Sequence, residues 1–127
     1  MPLVHHELCF GCGRTNLFGL LVEVQRIAGN EVAGRCFVKQ DHQGGQVGQA
    51  HDGIIAAALA EAMSLAAASE DAPVRTLATL AVSFESMATA PVGTFIELTA
   101  RADGAGAATA TARSGSELVA TASATYS

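Results

Sequence analysis

Residues 52–69, DGIIAAALAEAMSLAAAS, predict the one long helix of this chain. Alanine and leucine dominate the stretch, and both residues favour helix. Its interior carries a single charge, Glu61, so the helix is apolar almost all round, which is typical of a helix buried inside a fold. Asp52 is the expected N-cap, because its carboxylate can accept hydrogen bonds from the free amides of the first turn. Pro73 is expected to end the segment.

Strands are predicted on both sides of this helix. Two precede it and four follow it, over residues 19–27, 31–39, 75–86, 93–103, 107–113 and 117–126. Short connections predict antiparallel pairing, with the last four strands forming a meander. The order β-β-α-β-β-β-β indicates an α+β fold in which a six-stranded antiparallel sheet wraps around one central helix. One helix cannot cover every edge and face of such a sheet, so we expect a homodimer or a dimer of dimers.

Composition excludes several classes of protein. The 127 residues predict a single domain, 1–127, and the 26 alanines and 13 glycines allow close backbone approach. The net charge of −5 argues against nucleic-acid binding, which needs a basic face. The longest apolar run, residues 54–60, is far shorter than the ~20 residues of a membrane span. Three cysteines without a recognisable secretion signal predict free thiols and a cytoplasmic protein.

Three stretches of the chain resemble a known family. Residues 9–20, CFGCGRTNLFGL, resemble the opening Cys-Phe-x-Cys-Gly-x-x-Asn-x-x-Gly-Leu. Residues 42–63 resemble the loop-to-helix signature His-Gly-Gly-x6-Asp, and residues 91–93 resemble a Pro-Val-x-Val-Gly turn. The chain is therefore similar to the hotdog-fold acyl-CoA thioesterase superfamily, in its phenylacetyl-CoA thioesterase-like branch. The resemblance implies the hotdog fold and the hydrolysis of an acyl-CoA thioester at a dimer interface.

The start of the helix is the expected site of thioester binding. Free amides at a helix N-terminus point at developing negative charge and carry the positive end of the helix dipole. The resemblance implies that the residue after the signature histidine donates the key amide, and here Asp52 follows His51. His51 itself is expected to orient the loop or, as an alternative, to transfer protons. The candidates for substrate binding are Gly53, Gln46, Gln49, Thr79 and Ser83.

The carboxylate of the family signature is missing from its expected position. Nine residues after His51 stands Ala60, and Glu61 follows one residue later. One residue of helix is a rotation of about 100° and a rise of about 1.5 Å, so Glu61 points elsewhere. Glu61 and Asp52 are both candidates for the group that activates water or attacks the thioester. Their alternatives are a structural or dimer-interface hydrogen bond for Glu61 and a plain N-cap for Asp52.

Because Ala60 stands where the family signature has its carboxylate, two other functions are open. One is a hotdog protein that binds an acyl or aromatic ligand without hydrolysing it. The other is a hotdog enzyme that acts on a carrier-bound thioester.

A short cysteine motif opens the chain. Cys9-x-x-Cys12, with His5, His6 and Cys36, suggests half of a zinc ribbon. The second pair of cysteines is missing from the sequence. We therefore expect a packed N-terminal turn, with no metal ion and no cofactor.

Overall fold

The computed structural model of the chain describes residues 2–68 and 74–127. Its elements follow the predicted order, and a short 3-10 turn, Gln40–His42, precedes the helix. The helix is α1 (Asp52–Ala67). The strands are β1 (Glu23–Ala28), β2 (Glu31–Phe37), β3 (Leu77–Phe84), β4 (Phe95–Ala102), β5 (Ala107–Ser114) and β6 (Glu117–Tyr126). The described residues thus form the predicted α+β architecture, one six-stranded antiparallel sheet around one helix.

The strands lie in the order β1-β2-β4-β5-β6-β3. The predicted meander holds for β4, β5 and β6 but is wrong for β3, which pairs with β6. The reason is that β2 occupies the other edge of β4, pairing from Glu31 opposite Arg101 to Phe37 opposite Phe95. Residues 85–94 carry the chain from β3 at one edge of the sheet to β4 at its centre.

The core lies between the helix and the concave face of the sheet. Alternate residues of β4 are buried, including Ile96 and Leu98, and Leu59 and Met63 of α1 are fully buried. Alanines supply most of the buried positions on β5 and β6. Because these side chains are small, the helix packs closely on β2, β4, β5 and β6.

The first strand begins later than predicted. Leu21 has a positive φ of 54°, which interrupts the extended backbone before β1. The amides of Leu20 and Val22 donate to the carbonyls of Phe10 and Gly11 instead of to the sheet. Residues 19–22 therefore pair with residues 2–18, called the N-terminal segment below. This pairing holds the N-terminal segment against the rest of the fold.

The helix ends at Ala67, where the amide of Ala68 donates to the carbonyl of Ser64. The guanidinium of Arg26 donates to the carbonyls of Leu65 and Ala68, which lack partners in a helix end. The predicted end at residues 69–73, including Pro73, lies outside the described residues. No helix in the described part of the chain is long and apolar enough to cross a membrane.

The edge strand β3 is exposed on both faces. Leu80 and Phe84 pair with Ala124 and Ala120 of β6, on the helix side of the sheet. They nevertheless remain 40% and 43% exposed, because α1 packs on the other strands. The sheet therefore ends in an uncovered apolar strip.

Candidate functional site

The helix start has a different cap from the one predicted. His51 is the N-cap, and its Nδ1 accepts the hydrogen bond of the Gly53 amide at 2.8 Å. The prediction of Asp52 as N-cap is wrong, because the first helical bond, from the Ile54 amide, ends on the His51 carbonyl. Asp52 is the first helical residue and is exposed. Within residues 2–68 and 74–127 its amide has no hydrogen-bond partner, so it is free to bind a ligand.

Four of the predicted site residues line one hollow at this helix start, with a volume of about 290 Å³. They are Gln46, Gln49, His51 and Asp52. Gln49 accepts a hydrogen bond from the Ala90 amide at 3.0 Å, which ties the helix-start loop to the segment before β4. Gly53 adjoins this hollow through its bond to His51. These residues thus lie together at the helix start, and their roles in catalysis and substrate binding stay a prediction.

Thr79 and Ser83 lie elsewhere, on the outer face of the sheet. Thr79 Oγ1 shares a hydrogen bond of 2.6 Å with Thr125 Oγ1. Ser83 lines a shallow outer hollow of about 670 Å³ together with Thr99 and Thr121. Within one chain these two residues do not meet the helix start, and their role in substrate binding remains a prediction.

Glu61 belongs to a second cluster, formed with the N-terminal segment. Its Oε2 lies 2.8 Å from Nδ1 of His5 and 3.4 Å from Sγ of Cys9. Nδ1 of His5 lies 3.5 Å from Sγ of Cys12 and 3.7 Å from Sγ of Cys9. The four side chains His5, Cys9, Cys12 and Glu61 are called the His-Cys-Cys-Glu cluster below. One potential ligand atom from each lies within 4.8 Å of all the others.

The cluster contains only part of the zinc set considered from the sequence. Cys9, Cys12 and His5 are present, but His6 is exposed, and its Nδ1 accepts from the Leu8 amide. Cys36 is a buried residue of β2, and its thiol donates to the Leu20 carbonyl, away from the cluster. Glu61, which the sequence offered as a catalytic group, completes the cluster instead.

The charges of the cluster stabilise one another. Hydrogen bonds to Cys12 and Glu61 raise the pKa of His5 to about 11, against the effect of burial. Burial alone would raise the pKa of Glu61, but the hydrogen bonds with His5 and Cys12 outweigh it and hold that pKa below its usual value. Burial raises the pKa of the Cys12 thiol. Glu61 is therefore a carboxylate paired with the imidazolium of His5.

A pocket of about 290 Å³ lies beside this cluster. Its walls are mostly apolar and include Ala57 and Ala60 of α1, with Leu20 and Leu77 opposite. Ala60, nine residues after His51, thus lines a cavity and offers no polar group to it. Eight residues of helix separate it from Asp52, or about 12 Å.

Two polar residues of this region were missed by sequence reasoning. Ser64 lines the pocket, and its Oγ lies 3.0 Å from Nε2 of His5. The sequence did indicate that Ser64 lies near Glu61, since it stands three residues later and so shares a helix face with it. The hydroxyl of Tyr126 is buried without a hydrogen-bond partner among the described residues, and burial raises its pKa. Nothing local in the sequence indicated that Tyr126 lines this pocket.

Comparison with solved structures confirms the fold. A thioesterase superfamily protein superposes with a TM-score of 0.76 and 18% identity, over 91% of this chain and 60% of that chain. The phenylacetic acid degradation-related protein of Ralstonia eutropha JMP134 gives 0.71 and 22%, over 84% of each chain. Zebrafish thioesterase superfamily member 2 gives 0.66 and 23%, over 83% of this chain and 80% of that chain.

These likenesses define the class: the chain has the hotdog fold found in thioesterase superfamily proteins, including phenylacetic acid degradation proteins. It spans 60% of the length of the first of these structures. No protein-family model and no curated protein matches the sequence.

Proposed function

We propose that this protein is a thioesterase that hydrolyses an acyl-CoA or a related thioester. The observation that carries the proposal is the free amide of Asp52, at the positive end of α1 and beside a hollow lined by polar side chains. A thioester carbonyl that accepts a hydrogen bond from this amide becomes more electrophilic. The negative charge that develops on its oxygen during attack is stabilised there.

The carboxylate of Asp52 is the group that we assign to activating water. Glu61 is less suited, because its Oε2 is engaged by His5 and Cys9 and it lies about 13 Å along the helix from Asp52. Asp52 accepts a proton from water, and the resulting hydroxide attacks the thioester carbon. The carbon–sulfur bond then breaks, and the thiolate takes up the proton. The exposed amide of Gln46 is available to hold the water in the same hollow.

The proposed working unit is a homodimer joined along β3. This strand has a free edge, and its apolar side chains Leu80 and Phe84 are not covered by α1. Leu77 of the same strand lines the pocket beside Ala60. A second copy paired along β3 would therefore close this pocket and form an acyl-binding cavity at the interface. The three free cysteines, Cys9, Cys12 and Cys36, accord with a reducing, cytoplasmic setting.

Two substitutions at one position test the mechanism. Asp52→Asn removes the carboxylate and keeps the amide, whereas Asp52→Pro removes both. Proline is tolerated at the first position of a helix, and His51 has a ψ of 139°, which suits a residue before proline. We expect Asn to lower kcat about 10²-fold and Pro to lower it about a further 10²-fold.

The assay uses short, long and aromatic acyl-CoA esters, with the free acid measured by chromatography. This readout avoids reaction of the three cysteines with a thiol reagent. Asp41→Asn, an exposed acid in the preceding turn, is the matched control and should retain the wild-type rate. Full activity in Asp52→Pro would contradict the role of the amide. Absence of turnover on every thioester, from folded dimer, would contradict the proposed function.

A ligand-binding protein without hydrolysis is the second candidate, favoured by Ala60. This residue lines an apolar pocket where the family signature has its carboxylate. Such a protein would bind an acyl or aromatic ligand saturably without turnover. Ala60→Asp would then introduce turnover.

A thioester attached to a carrier protein, instead of to CoA, is the substrate favoured by the contacts of some positively charged side chains. Three of the seven cations, Arg14, Arg26 and Lys39, donate to backbone carbonyls and are held in the structure, which leaves these three poorly placed to bind the phosphates of CoA. Arg75, by contrast, lines the pocket beside Ala60. Activity on an acylated carrier protein, absent with free CoA esters, would identify this substrate.

A further inference from the structure

The His-Cys-Cys-Glu cluster combines side chains that bind transition metals. It offers one imidazole nitrogen, two sulfurs and one carboxylate oxygen, drawn from the N-terminal segment and from α1. Zinc is bound in proteins by these three kinds of group, most often by four of them in a tetrahedron. Thiolates favour soft or borderline ions over magnesium or calcium.

The separations between the ligand atoms agree with a tetrahedral ion. Zinc–sulfur and zinc–nitrogen bonds of about 2.3 and 2.0 Å place the sulfur and nitrogen of a tetrahedron about 3.5 Å apart. Nδ1 of His5 lies 3.5 Å from Sγ of Cys12 and 3.7 Å from Sγ of Cys9. Oε2 of Glu61 lies 3.4 Å from Sγ of Cys9. The pair His5–Glu61, at 2.8 Å, is a direct hydrogen bond that has to widen by about 0.5 Å to admit the ion. The two other pairs, Cys9–Cys12 and Cys12–Glu61, lie within 4.8 Å.

Groups outside the cluster orient its ligands. Nε2 of His5 lies 3.0 Å from Oγ of Ser64, so the imidazole can donate there and leave Nδ1 as the acceptor that a metal requires. The backbone amide of His5 donates to Sγ of Cys12 at 3.1 Å, a bond that stabilises a thiolate. The amide of Gly13 donates to the Cys9 carbonyl at 2.9 Å, which closes the Cys-x-x-Cys turn.

Two glycines provide the space for this arrangement. A Cβ atom on Gly11 would collide with the carboxylate end of Glu61. A Cβ on Gly13 would lie 2.6 Å from the backbone nitrogen of Cys9. A side chain at position 11 would displace the carboxylate of Glu61 from the cluster, and one at position 13 would press on the backbone of the turn itself.

We propose that His5, Cys9, Cys12 and Glu61 bind one Zn²⁺ ion that fastens the N-terminal segment to α1. Four protein ligands fill the coordination sphere of a tetrahedral ion, so the site is structural and leaves no position for substrate. The proposal does not depend on thioester hydrolysis, because the chemistry proposed above uses Asp52, about 13 Å along the helix from Glu61, although Cys9 and Glu61 also line the pocket beside Ala60.

The test begins with metal content. Untagged protein from zinc-supplemented cells is dialysed against metal-free buffer and analysed by mass spectrometry of the elements. We expect about one zinc ion per chain. The variant Cys9→Ser/Cys12→Ser and the variant His5→Ala should lose the ion. The matched controls Cys36→Ala and His6→Ala, which change the same residue types outside the cluster, should keep it.

A spectroscopic measurement on the wild-type chain covers the case in which a variant does not fold. Protein stripped of zinc by a chelator is titrated with Co²⁺. The expected result is a thiolate-to-cobalt charge-transfer band and the intense d–d bands of a tetrahedral ion, both abolished by one equivalent of zinc. Wild-type protein that retains no zinc after loading and desalting, or that lacks these bands, overturns the proposal. Zinc retained by a folded Cys9→Ser/Cys12→Ser variant overturns it as well.

Discussion

Nδ1 of His51 accepts the hydrogen bond of the Gly53 amide at 2.8 Å, so the central helix is capped by a histidine. This bond satisfies the amide of Gly53 and leaves that of Asp52 without a partner within the described residues. One ring nitrogen of His51 is thereby occupied in holding the helix start. The arrangement favours an orienting role for His51 over proton transfer.

The cap itself can be tested by substitution. His51→Ala removes the acceptor and should lower the free energy of unfolding by ~1 kcal/mol, the usual effect of losing an N-cap. His51→Asn should restore most of that stability, because its side-chain oxygen can accept the same bond. Urea unfolding measures both. If His51→Asn is as stable as wild type but loses the proposed thioesterase activity, the imidazole has a chemical role beyond capping.

The buried imidazole of His42 predicts a dependence of stability on pH. Burial lowers the pKa of His42 below 6.5, and its Nδ1 has no hydrogen-bond partner among the described residues. Below pH 6.5 the imidazole of His42 is protonated in the unfolded chain, whereas in the folded chain it stays neutral until the pH falls to its lower folded pKa. The free energy of unfolding should therefore fall as the pH drops from 6.5 through the folded pKa, by at most about 1.4 kcal/mol per pH unit.

His42→Gln should remove this part of the pH dependence, measured by urea unfolding at several pH values. His6→Gln, at an exposed position, is the control and should leave the slope unchanged. Equal slopes in wild type and His42→Gln would show that His42 does not titrate differently in the two states.

The pairing of β1 with β2 depends on Gly34. A Cβ at this position would collide with the carbonyl oxygen of Glu23 and lie 2.6 Å from Cα of Val24. Because both neighbours are backbone atoms, the strands must separate, and Gly34→Ala should cost about 1–3 kcal/mol. Gly29→Ala has no heavy atom within 4 Å of the added Cβ and should change stability by less than about 0.5 kcal/mol. Thermal or chemical unfolding compares the two, and similar losses would contradict the steric explanation.

The proposed dimer predicts the effect of a charge on β3. Leu80 is apolar and 40% exposed on this edge strand. Leu80→Lys places a charge from each copy within the proposed interface and should convert dimer into monomer. Size-exclusion chromatography with light scattering gives the mass. Val47→Lys, on a loop residue that is 94% exposed, should leave the mass unchanged. An unchanged mass in Leu80→Lys would place the interface elsewhere.

Sequence reasoning succeeded where the signal was local. The apolar stretch from residue 52 gave the helix and its start, and the short turns gave the antiparallel pairs β1–β2, β4–β5 and β5–β6. The polar residues before the helix lie beside Asp52 in the structure, since they are close to it in sequence. Two predictions were wrong. The partner of β3 was expected to be β4, its neighbour in sequence, but it is β6. The N-cap was expected to be Asp52, but it is His51, one residue earlier.

The sequence by itself determined the order of the elements and the free amides of one helix, because propensity, periodicity and turn chemistry act over a few residues. The tertiary structure alone decided that β3 pairs with β6 and that Cys9 meets Glu61, 52 residues further along the chain. It also turned Glu61 from a lone charge on a helix into one member of a four-residue cluster. Contacts at such separations are selected by how the sheet and helix pack, and no local pattern records them.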